Sequence, residues 1–301
     1  MYFTTHKRTT LRTAIAETFI SMNTETLEAV KDKKLPKGDV IELARAAGVL
    51  AAKKTPELLP YCHPLPIDGV SVQFEFKESG IRIESLVKTI WKTGVEMEAL
   101  TACSIAALTI YDMCKPLDKE MVIQDTKLLR KEGGKSDFTE SLEGEFRVAV
   151  IVSSDGTFAG TRKDKSGEII CDKLSQMGFQ HITKIILPDE QDQLRDEMIR
   201  LCESGTRLII STGGTGLGPR DVTVEATREV IDREIPGIAE AMRSHGIERT
   251  PYAMLSRGLV GTRGQTLIIN MPGSSNGAKE SMEALFPAVL HSFPMMNGGG
   301  H

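Results

Sequence analysis

The five cysteines, Cys62, Cys103, Cys114, Cys171 and Cys202, are odd in number and include no C-x-x-C pair. A disulfide framework is therefore not indicated, and a reducing cytoplasm fits best. A long apolar run is also missing. Residues 1–20 carry Lys7, Arg8, Arg12 and Glu17, so no continuous apolar core for secretion is present there. The most apolar stretch, Met97 to Cys114, is broken by Glu98 and Asp112 and reads as a buried helix too short to span a bilayer. Nor is there a basic excess. Through Asp137, 20 Lys and Arg stand against 19 Asp and Glu, and 17 stand against 22 beyond it. Neither half has the footprint of a nucleic-acid binder, and no membrane partner is expected.

What is present is length and apolar content for two cores: 301 residues, 40% of them hydrophobic. The segment GGKSDFTESLEG at 133–144 has linker composition. It divides a domain over 1–137 from one over 145–301, with 138–144 as the link, and no repeat relates the halves. In the first half, Thr13 to Met22 alternates as a half-buried strand and Asn23 caps a short helix. Lys37-Gly38-Asp39 opens a second helix over Val40 to Lys53, after which Pro56, Pro60, Pro64 and Pro66 forbid regular helix. Val70–Phe76 and Ile81–Thr89 form a hairpin. A helix from about Glu98 to Lys115 stops at Pro116, and a last strand covers Met121 to Leu129. The order βααββαβ predicts an α+β sheet with helices on one face.

Beyond the linker the strands become continuously apolar: Phe146–Ser153, Ile182–Leu187, Arg207–Thr212 and Thr266–Asn270. Helices near Ser166–Met177, Gln191–Glu203 and Val222–Ile231 alternate with them. The pattern predicts a doubly wound α/β domain with a mostly parallel sheet, whose ligands gather at the strands' carboxyl ends.

Chemistry-bearing groups in the first half are Lys37, His63, Glu96, Glu98, Asp112 and Lys115, with Lys131 and Lys135 flanking Gly133-Gly134. Each alone has a plain structural alternative. Asp112 and Lys115 share a helix face and suit an ion pair, and His63 suits either a packed imidazole or an acid–base group on a stiff loop. Adjacent Cys62 and His63 make a poor metal pair. Lys131 and Lys135 could be a solvated run or a phosphate clamp. Taken together, TAIAE, KGDV, AAKKT, LLPYCHPL, KTGVEMEALTACSIAALTIYDMCK and LLRKEGGKS resemble the MoaC family, cyclic pyranopterin monophosphate synthases, from Arg12 to Lys135. The resemblance implies a ferredoxin-like fold and a hexamer with sites between subunits. It also implies conversion of 3′,8-cyclo-7,8-dihydroguanosine triphosphate into the cyclic phosphate of a pyranopterin with release of pyrophosphate. The family's active-site positions fall on Lys37, His63, Asp112 and Lys115, supported by Arg12, Glu96, Glu98, Lys131 and Lys135.

In the second half, STGGTGLGPRD at 211–221 lies between an apolar strand and a helix, where backbone N–H groups bind phosphate. It lacks both the Lys-Ser/Thr ending of a P-loop and dinucleotide-fingerprint spacing. Ser153, Asp155 with Asp164, and Asp189 extend the loops after two other strands. MPGSSNGAKE, with Pro272, Gly273 and Ser274, supplies a further strand-to-helix anion loop. The carboxylates could hold Mg²⁺ or cap their helices. These segments, with REIPGIAEAMR and LSRG, resemble the MogA/MoaB family over most of 145–291. The resemblance implies adenylylation of molybdopterin by MgATP, with no tightly bound cofactor. Asp189 and Asp221 match important acids, Thr212, Gly213, Gly214, Thr215 and Gly216 match the substrate loop, and Mg²⁺ is expected near Asp189 and Asp221. Homo-oligomers built on threefold symmetry are implied for both halves. The alternative is a non-catalytic pterin-binding or assembly module.

Overall fold

The computed structural model describes residues 3–35, 38–138 and 146–299, with backbone alone at Lys135 and Ser136. Lys37 and most of the 138–144 link lie outside the described residues. The chain divides into two compact units, Met1–Asp137 and Phe138–His301.

The first unit runs β1 (Thr10–Ser21), α1 (Thr24–Lys31), α2 (Val40–Leu58), β2 (Gly69–Lys77), β3 (Gly80–Trp91), α3 (Glu96–Cys114), β4 (Val122–Ile123) and β5 (Lys127–Glu132). Its antiparallel sheet has the order β2-β3-β1-β4, with β5 also pairing β1. The period-two pattern is realised: Ala14, Ala16, Ile20, Ile81, Ile83 and Val87 are fully buried, and they pack in one core with Ala99, Ala102, Cys103, Ala106 and Ile110 of α3. Asn23 caps α1 as expected, its side chain accepting from Thr26 N at 2.8 Å.

Three expectations change. Helix α2 continues through Pro56 to Leu58, because the proline falls in the last turn, where only the Ala52 carbonyl loses an amide donor. The turn is closed by Leu59 N donating to Thr55 O at 2.9 Å. The last predicted strand is two strands, β4 and β5, both pairing with β1, and the β5 register shifts between Ile15 and Ala16. Lastly, α3 has 19 residues and is long and apolar enough to cross a membrane by length and composition, so the short-length argument fails. Its wholly buried inner face packs in this unit's core.

The second unit runs β6 (Arg147–Ser153), α4 (Asp155–Phe158), α5 (Ser166–Gln176), β7 (His181–Leu187), α6 (Gln191–Glu203), β8 (Leu208–Thr212), α7 (Thr223–Val230), β9 (Arg233–Glu234), α8 (Pro236–Ile247), β10 (Val260–Arg263), β11 (Thr266–Met271), α9 (Ser275–Leu285) and α10 (Ser292–Met296). The sheet order is β7-β6-β8-β11-β10-β9. Strands β7, β6, β8 and β11 are parallel, while β10 and β9 close one edge antiparallel. Both faces are covered, as continuous apolar strands require. Val148, Val150, Leu208, Ile210 and Ile269 meet α5, α8 and α9 on one face, and Ala149, Ile151, Ile209 and Ile268 meet α6 and α7 on the other.

Candidate functional sites

In the first unit the sequence-flagged groups separate into two clusters at opposite ends of α3. The first forms around the helix start. Glu98 is 1% exposed, its Oε1 is 3.4 Å from Cys62 Sγ, and its Oε2 meets no hydrogen-bond partner among the described residues. That contact brings the loop holding half-buried His63 against the helix. Glu96 Oε1 is 3.5 Å from Lys131 Nζ. The Arg12 guanidinium donates to the carbonyls of Trp91 (3.2 Å), Lys92 (3.3 Å) and Arg8 (3.5 Å). Burial lowers its pKa, against the nearby charges of Glu96 and Asp137. Burial also lifts the Cys62 thiol to about 11, so it stays protonated at neutral pH.

The second cluster is the ion pair of Asp112 and Lys115, 2.6 Å apart and more than half exposed. Asp112 lies fourteen positions beyond Glu98, so about 21 Å of helix axis lies between the clusters at 1.5 Å per residue. One chain does not unite the expected constellation. Lys37 is outside the described residues, as is the side chain of Lys135.

Burial raises the Glu98 pKa. The folded state therefore holds this proton more tightly than the unfolded chain does. The resulting stability is full below the ordinary carboxylate range and is lost as pH rises through the folded value. Glu98→Gln should flatten that loss, which sets in as pH rises above the ordinary carboxylate range. Urea unfolding of the full chain at a series of pH values checks it, read by fluorescence of the single tryptophan, Trp91, which sits in this unit. Equal pH slopes in both proteins would refute it.

In the second unit the flagged residues do gather, at the carboxyl ends of neighbouring strands. Ser153 Oγ donates to Asp189 Oδ1 at 2.6 Å. Asp155 N donates to Asp189 Oδ2 and Asp189 N to Asp155 Oδ1, each at 3.0 Å, so the loops after β6 and β7 grip one another. The loop after β8 wedges between β6 and β11. A Cβ on Gly213, whose φ is +100°, would lie 2.2 Å from the Ser153 carbonyl oxygen. Thr212 Oγ1 donates to Pro272 O at 2.9 Å, and Gly273 packs on the Gly213 backbone. Gly214 leaves room for the Thr223 hydroxyl. Gly213→Ala should thus cost about 1–2 kcal/mol from the left-handed conformation alone, plus the clash. Calorimetry would show a lowered melting transition for this unit, with the Trp91-reported transition unmoved; a wild-type melting profile would refute the wedge.

Asp221 turns into its own loop, Oδ2 accepting from Gly218 N at 2.8 Å. Asp164 takes the capping alternative: it stands apart from the carboxylate group, accepts from Gly167 N at the start of α5 and pairs with Lys184 at 3.1 Å. Ser274 caps α9 through Gly277 N. Helices α7 and α9 follow the loops after β8 and β11, so two positive helix starts lie at one end of the sheet.

Two arginines that carry this site were not singled out in the sequence, although each lies in a flagged segment. Arg257 of LSRG donates to Gly216 O and Asp221 O, both at 2.6 Å, and pairs with Glu225, bracing the glycine loop. Arg220 of GPRD donates to Asp155 Oδ2 (3.1 Å) and Oδ1 (3.0 Å) and lies 2.9 Å from Glu190. Beneath them, fully buried Asn270 donates through Nδ2 to Ser211 Oγ (2.7 Å) and Thr227 Oγ1 (2.9 Å), tying β11 to β8 and α7. Among the described residues no three His, Cys, Asp or Glu side chains converge to hold a metal ion alone.

Residues 1–134 match the family model described as "MoaC family", and residues 149–291 match "Probable molybdopterin binding domain". A Chlorobaculum tepidum protein named "Molybdenum cofactor biosynthesis bifunctional protein" is 41% identical over 98% of this chain and 94% of its own length. A Synechococcus elongatus protein of the same name is 38% identical over 98% and 97%. A Brevibacillus brevis protein named "Cyclic pyranopterin monophosphate synthase" is 56% identical over 43% of this chain and 82% of its own. The Thermus thermophilus MoaB crystal structure shares 44% identity over 51% of this chain and 97% of that one, with a TM-score of 0.48. The chain belongs to the family of bifunctional molybdenum cofactor biosynthesis proteins, with a MoaC-family half followed by a half of the MogA/MoaB type.

Proposed function

We propose that the two halves catalyse separate steps of molybdenum cofactor synthesis. The first, over 1–137, converts 3′,8-cyclo-7,8-dihydroguanosine triphosphate into cyclic pyranopterin monophosphate and pyrophosphate. Arg12, Lys131 and, from the family pattern, Lys37 and Lys135 supply positive charge for the triphosphate and the departing pyrophosphate. His63, Asp112 and Lys115 move protons during ring opening and closure. The observation that carries the reading is the split of these groups between the ends of α3. A site complete in one chain would not be divided in this way, whereas a homo-oligomer with sites between subunits brings one chain's first cluster to its neighbour's second. The sheet order β2-β3-β1-β4 supports a ferredoxin-like classification.

The second half, over 145–301 and joined through 138–144, adenylylates molybdopterin. The pterin's terminal phosphate attacks the α-phosphate of ATP, a new P–O–P bond forms and pyrophosphate leaves. Five carboxylates, Asp155, Asp189, Glu190, Asp221 and Glu225, take part in the contacts among these loops and α7, and Arg220 and Arg257 are already paired with them. A polyphosphate approaches such a surface only with its charge neutralised, which favours MgATP as co-substrate over a resident metal. From the family pattern, Asp189 and Asp221 are the carboxylates that would hold such a cation. The non-catalytic module reading draws on no observation of its own. Cytoplasmic location fits five cysteines outside any disulfide.

The test supplies the purified protein with the cyclised guanosine triphosphate and measures pyrophosphate together with cyclic pyranopterin monophosphate, with Lys37→Ala as control. Product from wild type and not from the variant supports the synthase. Absence of product from a folded, assembled protein removes it.

A further inference from the structure

Arg220 is the group in the second unit whose placement the adenylylation reading leaves unused. Its guanidinium forks onto both oxygens of Asp155, at 3.0 and 3.1 Å, while Nη2 also reaches Glu190 Oε1 at 2.9 Å. One side chain of the β8 loop thereby bridges the loops after β6 and β7, directly over the Asp155–Asp189 contact. All three partners are about half exposed, at 55%, 49% and 50%. Ion pairs this wet stabilise a fold by little, since solvent screens them and two side chains must be held still. A guanidinium is, however, a preformed planar fork that binds a phosphate through two parallel N–H donors as readily as a carboxylate. The contacts of Arg257 are spent on Gly216 O and Asp221 O of the glycine loop and on Glu225 of α7.

We propose that Arg220 is the anion contact for the polyphosphate of a nucleoside triphosphate in this unit, held in waiting by Asp155 and Glu190, and that it exchanges these carboxylates for phosphate oxygens when the nucleotide arrives. The inference rests on the adenylylation reading and adds to it a residue and a competition. Asp155 and Glu190 act as internal rivals of the ligand, so apparent affinity is the intrinsic affinity reduced by the fraction of arginine that is paired. No bond is made or broken in the exchange. It also keeps the β6, β7 and β8 loops together before the ligand arrives, which a solvated arginine would not do.

The competition gives a signature that a merely structural bridge lacks. Calorimetric titration of the full chain with MgATP should show Arg220→Ala binding about 10- to 100-fold more weakly, the effect of losing a charge-assisted hydrogen bond. Arg220→Lys should be intermediate, and adenosine binding should not change. Glu190→Gln removes one rival and should tighten MgATP binding by about 2- to 5-fold. That gain should vanish in the Arg220→Ala/Glu190→Gln double variant. Wild-type affinity in Arg220→Ala, or weaker binding in Glu190→Gln, overturns the exchange while leaving adenylylation standing. A loss in Arg220→Ala for molybdopterin but not for MgATP would assign the contact to the pterin's phosphate and also overturn it. Failure of wild type itself to bind MgATP removes the adenylylation reading and the exchange with it.

Discussion

Mixing a His63→Ala protein with a Lys115→Ala protein should restore about one quarter of the wild-type synthase sites, although each alone should fall at least about 100-fold. The expectation follows from the helix linking the two clusters. His63 follows Cys62, whose thiol touches Glu98 near the start of α3, whereas Lys115 sits at the other end beside Asp112. In a site shared between neighbours, a chain with intact His63 meets a chain with intact Lys115 at one contact in four after random exchange. The measurement is cyclic pyranopterin monophosphate formed after the variants are dissociated together and reassembled. A mixture no more active than its components would place all the groups in one chain and sink the shared-site reading. Adenylylation should stay at wild-type level in both variants, which guards against simple misfolding.

The second large effect concerns the acids after β7 and β8. Asp189→Asn and Asp221→Asn should each lower ATP-dependent adenylylation by about 100- to 1000-fold while leaving the synthase untouched. Asp189 accepts from a hydroxyl and a backbone amide at once, through different oxygens. An asparagine there replaces one acceptor with an NH₂ that faces a donor, and removes the charge between the β6 and β7 loops. Asp221 acts within its own loop, where Oδ2 accepts the Gly218 amide and Arg257 grips the backbone carbonyl. Turnover measured beside molybdopterin binding separates the readings. Lost turnover with retained binding excludes a storage module, and wild-type turnover in both variants excludes these carboxylates from the reaction.

Helix α6 was legible to the residue, Gln191–Glu203, because its apolar positions Leu194, Met198 and Leu201 recur at helical spacing in an otherwise charged stretch. The four parallel strands were legible because burial on both faces leaves unbroken apolar runs. Strands β9 and β10 were not, being two and four residues long at a sheet edge, too short for any period to register. Pro56 misled because a proline's cost depends on its place in the helix, which composition does not reveal. In the candidate sites, Asp155 and Asp189 could be read as strand-end acids, but Arg220 and Arg257 could not be told from solvated arginines until their partners came from loops 65 and 41 residues away in sequence. The Asp112–Lys115 pair was read directly. That its helix holds it far from His63 is a matter of length, visible once both ends of α3 are fixed.

The Asn270–Ser211 contact also bears on how the second unit selects one alignment of its strands. Leu208-Ile209-Ile210 lies beside Leu267-Ile268-Ile269, two runs so alike that a two-residue slide would still set aliphatic side chains against aliphatic side chains. Hydrophobic burial alone discriminates weakly between such alignments. A carboxamide at the end of one run and a hydroxyl at the end of the other do discriminate, because any slide strands a dry amide without its acceptors. The same slide would pull Thr212 from Pro272 and displace the glycine loop from Ser153. A pair that contributes little apolar area thus penalises the misaligned sheet, and the alignment it selects is the one in which the loops after β6, β8 and β11 meet.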